Sequence, residues 1–472
     1  MKIRACLLAL LFCFAGLSTA QTPAPAPAAE QRARGWLEAF NSGNRATLQS
    51  FLEKYRPSDV AHLDGLLDFY SRTGGFEFEK AAASTPTHYE AFLKEKNSDQ
   101  FARIVIDVEP DPPNKIVQFE MMAVPRPAEF AIPRLSQKEA VDAFAKQLDH
   151  DAQTDHFSGA ALVAQNGKIL FEHAYGLADR AKKTPNTVET QFRIGSMNKM
   201  FTAVCILQLV QAGKIQLSDP FAKYLADYPN QEMASKVTIQ ELLTHTGGTG
   251  DFFGPEFDKH RLELKTLQDY VKLYGARPAA FEPGSRFEYS NYGFLLLGVI
   301  IEKVAGQSYY DYVREHVYKP AGMTSTDSLP EDQTVALRSV GYMKEGSAPL
   351  KDNTETLPYR GTSAGGGYST VGDLYRFATA LQDHKLLDAA HTGLLITGRV
   401  DTGRGPDKYA FGFFNTNEDG IECFGHGGGA PGMNGDLKIC PKSGYVIAVL
   451  ANIDPPAAQH ESTFILNRLP LN

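Results

Sequence analysis

Ser196-Met-Asn-Lys199 is the only Ser-x-x-Lys in this 472-residue chain. It heads an apolar stretch (Met200, Phe201, Val204, Leu207, Val210) that keeps helical spacing and stops at Gly213. A serine at a helix N-terminus has unpaired backbone N–H groups beside it and faces the positive end of the dipole. Lys199, three residues on, lies on the same face about 5–6 Å away. Burial there would lower the lysine pKa, or make the ammonium a positive partner for another group. The pair can therefore supply a serine nucleophile activated by a lysine. Taken alone, the same spacing also fits an N-cap serine followed by a solvated lysine.

Two further clusters carry compatible chemistry. Tyr289-Ser290-Asn291 follows the turn Pro283-Gly284 and precedes the apolar run Tyr292–Ala305. Tyr289 and Asn291, two apart, point the same way from an extended segment. A tyrosine titrates near ~10, and a neighbouring lysine ammonium favours its phenolate. Such a tyrosine can take the serine proton and return it to a leaving group. The Asn291 amide offers a donor and an acceptor to a substrate amide. Downstream, Gly425-His426-Gly427-Gly428-Gly429 lets a substrate approach the backbone and leaves N–H groups free for an oxyanion, with His426 as a donor or titrating group. Gly361-Thr-Ser363-Ala-Gly365 also matches a Gly-x-Ser-x-Gly elbow with His426 downstream. That elbow needs a buried strand before it and a helix after it. Asp352–Arg360 is polar and the glycine run continues to Gly367, so Ser363 is the weaker nucleophile.

These clusters need a frame to bring them together. Residues 1–20 read as a secretory signal: Lys2 and Arg4, the apolar Ala5–Ala15, then Ser18-Thr-Ala20 before a cut at Gln21. Residues 21–29 form a Pro/Ala-rich linker. A first unit at 30–125 has helical patterns at Glu30–Asn41 and Asp59–Tyr70, then strand-like runs at Gln100–Val108 and Lys115–Met122. Helices followed by a curved sheet resemble the small nuclear-transport-factor-2-like fold, which implies an accessory domain and by itself no chemistry. The run Pro125–Pro133 leads through a linker at 126–136 into a second unit, 137–472. There Gly159–Ala164 and Lys168–Ala174 flank Asn166-Gly167, a strong hairpin signal. Gly435–Cys440 and Tyr445–Ala451 are strand-like at the far end, with helical patterns between. Strands at both ends and helices in the middle predict an α+β fold, one antiparallel sheet assembled from the two ends of the unit.

Ser196-x-x-Lys199, Tyr289-x-Asn291 and His426-Gly-Gly, in that order, resemble the penicillin-recognising serine hydrolases: class C β-lactamases, D-Ala-D-Ala carboxypeptidases, D-aminopeptidases and related esterases. Leu242-Leu-Thr-His-Thr-Gly247, Phe281-Glu-Pro-Gly284, Ser363-Ala-Gly-Gly366 and Tyr368-Ser-Thr370 look like the same family, and the likeness runs from about Leu135 to Asp454. It implies an antiparallel sheet flanked by helices, an all-helical subdomain, and a site in the cleft between them. It further implies that Ser196 is acylated, that Lys199 and Tyr289 manage its proton, and that Asn291, His426 and Gly428 bind substrate. The N–H groups of Ser196 and Gly429 would form the oxyanion hole. The class C enzymes carry Lys-Thr-Gly where this chain has His426, so the cation that grips a carboxylate is absent or pH-dependent. Esters, amides and D-amino acid peptides are then better candidates than β-lactams. A slow-deacylating penicillin sensor of the same fold is the alternative.

Composition narrows the partners. The formal charge of −8 argues against nucleic acid or an anionic membrane as the main partner, leaving a small-molecule or peptide substrate. No run of 18 apolar residues follows the signal, so no membrane span is expected in the mature chain, which the signal would place in the periplasm or outside the cell. No His-Glu-x-x-His or Cys-x-x-Cys is present, and no metal or other cofactor is expected. Cys423 and Cys440 flank a turn and could bridge adjacent strands in an oxidising compartment; Cys205 sits in an apolar helical run. The sequence leaves the oligomeric state open.

Overall fold

The computed structural model describes residues 25–344, 349–403 and 405–471, so the expected signal segment lies outside the described residues. Three helices come first: α1 (Ala28–Asn41), α2 (Arg45–Tyr55) and α3 (Leu63–Thr73). They cover an antiparallel sheet in simple meander order, β1 (Phe76–Ser84), β2 (His88–Glu95), β3 (Phe101–Val108) and β4 (Ile116–Val124). Trp36 and Phe40, one helical turn apart on α1, pack into a core of their own with Tyr89, Leu93 and Ile104. Asp59 falls in a 3₁₀ turn, Pro57–His62, and the helix expected from it begins at Leu63.

Helix α4 (Gln137–Gln153) opens with a capping box between Ser136 and Glu139. It leads into β5 (Gly159–Gln165) and β6 (Lys168–Tyr175), joined through Asn166 and Gly167, both at positive φ. These two strands complete an eight-stranded antiparallel sheet whose other members come from the far end of the chain. In chain order those are β9 (Val400–Asp401), β10 (Lys408–Tyr409), β11 (Phe414–Glu418), β12 (Ile421–Ala430), β13 (Met433–Cys440) and β14 (Tyr445–Ala451). The spatial order is β9 to β14, then β5 and β6, with Gly159 paired to Ala451. Two short strands stand apart as a pair, β7 (Phe192–Gly195) and β8 (Gly367–Ser369).

Alternation along β5 and β14 explains the two layers of core. Ala160, Leu162, Ala448 and Leu450 face the helical subdomain, while Ala161, Val163, Ile447 and Val449 face α4 and the C-terminal helix. Both faces are covered, which is why these strands read as unbroken apolar runs. The subdomain centres on α5 (Asn198–Gln211), buried on nearly every side, and α6 (Asn291–Ala305). Helix α7 (Val371–Gln382) packs on the sheet beside them, and α8 (Ala457–Leu466) closes the opposite face. Cys423 and Cys440 are joined by a disulfide across β12 and β13, and Cys205 is free and buried. No helix among the described residues is long and apolar enough to cross a membrane.

Candidate active site

Ser196 sits where β7 hands over to α5. Gly195 adopts φ +49°, turning the chain so that Ser196 and Met197 form a tight bend before α5 starts at Asn198. The helix thus begins two residues later than Ser196, and Lys199 N–H closes the bend onto Ser196 C=O at 3.0 Å. Lys199 is completely buried. Its Nζ donates to Ala364 C=O at 2.6 Å, to Asn291 Oδ1 at 2.7 Å and to Ser196 Oγ at 3.2 Å. It also lies 4.7 Å from the centre of the Tyr289 ring. Desolvation lowers its pKa to about 7, with Asp251 pulling the other way. The bond lengths make chemical sense of that value. An ammonium has three protons for three acceptors, whereas the neutral amine keeps the two shorter bonds and presents its lone pair to the Ser196 hydroxyl.

Tyr289 and Asn291 are held by one loop. Ser290 is extended and caps α6, accepting from Gly293 N–H at 2.9 Å. Its own N–H donates to His245 Nδ1 at 3.1 Å, and its hydroxyl donates to Gly250 C=O. The neighbours of Ser290 consequently project to the same side, as the spacing predicts. The Tyr289 hydroxyl is hydrogen-bonded to Ser196, yet burial raises its pKa and Asp251 adds to the effect. Phenolate character, expected from the nearby lysine, is not favoured: desolvating both groups lowers the base of the pair and raises the acid. Asn291 faces Lys199 with its oxygen and gives its amide hydrogen to Asp251 at 2.8 Å. It therefore ties the lysine to a carboxylate and, contrary to the expected substrate contact, does not line the cavity.

The third cluster lies on β12. Its glycines are required by proximity: a Cβ on Gly428 would stand 1.9 Å from Ile194 O and 3.0 Å from Ser196 N, and one on Gly195 would stand 2.7 Å from Gly429 N. The amides of Ser196 and Gly429 are thus neighbours, as an oxyanion pocket needs. His426 is buried, with Nδ1 on Gly427 C=O and Nε2 3.2 Å from the Tyr409 hydroxyl. That pattern fits a neutral ring protonated at Nδ1, and burial together with repulsion from Lys199 lowers its pKa to about 3. His426 therefore supplies no cation at physiological pH. Ser363 is fully buried against α6, its Oγ 3.4 Å from Leu295 C=O. No helix follows it directly, and its neighbour Ala364 instead contributes the carbonyl that holds Lys199.

A cavity of about 1060 Å³ opens onto Ser196, Tyr289, His426 and Gly427–Gly429. Lys199 and Asn291 stand behind this wall. Asp251, the Ala364 carbonyl and the buried His245, whose ring lies 4.3 Å from that of Tyr289, complete the site. None of the three has a distinguishing spacing; the Leu242–Gly247 run marks the loop that carries two of them, and Ser363–Gly366 the turn that carries Ala364. Among the described residues no group of His, Cys, Asp and Glu is arranged to hold a metal ion.

A pH dependence follows from Lys199. If its neutral form is the base, kcat/KM for an ester rises with pH through about 7 and then levels. Asp251→Asn removes a charge that raises the lysine pKa, so the midpoint moves to lower pH. A flat profile, or a midpoint unmoved by the substitution, would exclude Lys199 as the titrating base.

Comparison with known proteins places the chain in a family. The family model described as Beta-lactamase matches residues 141–471. A protein of Bacillus subtilis (strain 168) named as a penicillin-binding protein, PbpX, is 32% identical over 298 residues, covering 62% of this chain and 70% of its own. The protein flp of Staphylococcus aureus (strain MW2) is 30% identical over 332 residues; the chain covers 65% of it, just under two thirds. Among solved structures, a penicillin-binding protein from Bacillus halodurans superposes with a TM-score of 0.62 at 34% identity, over 67% of this chain and 98% of that one. A D-stereospecific amidohydrolase from Streptomyces sp. gives 0.57 at 28% identity, over 68% and 96%. With its fold, its ordered motifs and a match over most of its length, the chain belongs to the beta-lactamase family.

Proposed function

We propose that this protein is an exported serine hydrolase that forms an acyl-enzyme on Ser196 and releases it to water, acting on esters, amides or D-amino acid peptides. The observation that carries the reading is the buried Lys199 amine, 3.2 Å from Ser196 Oγ and held by two shorter bonds to Ala364 and Asn291. Neutral Lys199 takes the Ser196 proton as Oγ attacks the substrate carbonyl. The oxyanion settles between the amides of Ser196 and Gly429. The Tyr289 hydroxyl, hydrogen-bonded to Ser196, passes a proton to the departing alcohol or amine and is replenished from Lys199. Water then repeats the sequence on the ester. With His426 neutral, the third motif offers no cation to a carboxylate, so β-lactams are poor substrates.

The D-stereospecific amidohydrolase neighbour makes D-amino acid amides the first substrates to try. Export is supported by the disulfide, since such bonds persist in oxidising compartments. The test is a panel of p-nitrophenyl esters, D-amino acid amides and nitrocefin, with mass mapping of any trapped acyl group. Turnover of esters or amides with the acyl group on Ser196 is expected. An adduct on Ser363, or rapid nitrocefin hydrolysis, would overturn the reading; labelling of Ser196 without turnover would mark a sensor instead.

A further inference from the structure

The cavity that opens onto Ser196 does not end within the catalytic unit. Asp68, Ser71 and Arg72, from the last turns of α3, line it together with Asn97 from the turn between β2 and β3. The first unit is pinned in that place. Asp99 forms an ion pair with Arg468 at 2.6 Å, where neither side chain is more than 17% exposed, and Arg126 pairs with Asp419. Asn97 in turn holds the Arg72 carbonyl at 3.3 Å. A continuous path leads there from the nucleophile. Gly429 packs against Pro455, a Cβ on the glycine falling 2.6 Å from the proline ring, and the preceding residue, Asp454, feels the charges of Asp68 and Arg72.

The chemistry of this far wall is one-sided. Five carboxyl side chains besides Glu461 line the cavity, against Arg72 and Lys344 as the fixed positive charges among the described residues. The carbonyl end of α3 adds partial negative charge. Two polar atoms on the lining residues are buried without a hydrogen-bond partner, Gln459 Oε1 and Glu461 Oε2, and both can accept. Glu461 is only 2% exposed. Burial, then the hydrogen bond and charge of Asp151, push its pKa up to about 10, and its Oε2 is a buried atom with no hydrogen-bond partner. A buried acceptor without a donor is costly, and a ligand that brings N–H groups removes that cost.

Resting on the hydrolase reading above, we propose that the first unit is part of the substrate site: α3 and α8 together form a subsite for an ammonium group carried at a distance from the scissile carbonyl. Amine-bearing esters and amides are therefore the preferred substrates, and Asp68 and Arg72 tune that preference in opposite directions. Their own ion pair is an exposed i,i+4 contact, so replacing either leaves the fold intact.

The test uses the full chain and matched substrates: p-nitrophenyl 6-aminohexanoate against p-nitrophenyl hexanoate, and 6-aminohexyl acetate against hexyl acetate. In at least one pair kcat/KM should favour the ammonium form by about tenfold, the scale of one favourable charge contact. Asp68→Asn should reduce that ratio, whereas Arg72→Gln should increase it. A subsite of purely structural importance would move both variants the same way. Equal turnover within both pairs, or a common response of the two variants, would overturn the subsite while leaving acylation of Ser196 intact; absence of any acylation would instead fell the hydrolase reading.

Discussion

Lys199→Met should lower kcat/KM by about 10³ to 10⁴-fold, the upper range for losing a general base that also orients the nucleophile, and should make the stability difference from wild type depend on pH. Activity falls because the 3.2 Å contact to Ser196 Oγ has no replacement. On the stability side the substitution removes a cost, because the native fold buries an amine whose pKa drops from 10.5 to about 7. At 1.36 kcal/mol per unit this costs on the order of 5 kcal/mol at neutral pH. Met leaves the Ala364 carbonyl and Asn291 Oδ1 as buried acceptors without a donor, at about 1–3 kcal/mol each, so the two effects nearly cancel at neutral pH. The burial cost can be checked by pH. Between 7 and 10.5 the unfolded lysine holds more proton than the native one, so the wild type gains stability as pH rises through that window. The variant therefore compares best with wild type at pH 7 and below, and falls behind it towards pH 10. Melting curves at the two ends of the window test it; a stability difference that is the same at both ends would contradict the buried-amine account.

Gly428→Ala should lower kcat by about 10² to 10³-fold, the range associated with an oxyanion donor. The added methyl would stand 1.9 Å from the Ile194 carbonyl oxygen, and no flexible side chain can move to relieve the contact. Either β7 or β12 must shift, and both carry the amides that face a developing oxyanion. A displacement near 1 Å suffices for a loss of about 10²-fold. The same overpacking should reduce stability by about 1–3 kcal/mol. Steady-state kinetics on the best ester, with a denaturation curve, measures both. Wild-type kcat in this variant would show that the β7–β12 approach does not set the oxyanion geometry.

The ease with which this site can be read from sequence varied by residue for physical reasons. Ser196 and Lys199 are three apart on one helix, so their proximity follows from covalent geometry. Tyr289 and Asn291 share a side because Ser290 is extended, which the Pro-Gly turn and the apolar run after it signal. Asp251 and the Ala364 carbonyl leave no comparable mark. One is an acid in a glycine-rich loop and the other is backbone, and only tertiary folding brings them to Lys199 and Asn291. Ionisation of Tyr289 was misleading for a related reason: sequence shows an attractive charge but not the burial that outweighs it. In the fold, β5 and β14 were visible as apolar runs, whereas β9 and β10 are two residues each and carry no period. The shape of the cleft was out of reach, since its far wall comes from α3, more than a hundred positions before the nucleophile.

The pairing of Gly159 with Ala451 puts neighbours in space at almost opposite ends of the catalytic unit. Folding of this unit is consequently dominated by long-range contacts, and its rate is limited by closing that large loop. During synthesis the Ser196 segment leaves the ribosome long before β12 and β14 exist, so its oxyanion partner is missing throughout elongation. The growing chain carries the serine and the lysine but no assembled site. The site is therefore assembled only when the last strands arrive, which puts a built-in delay between synthesis of Ser196 and completion of its surroundings.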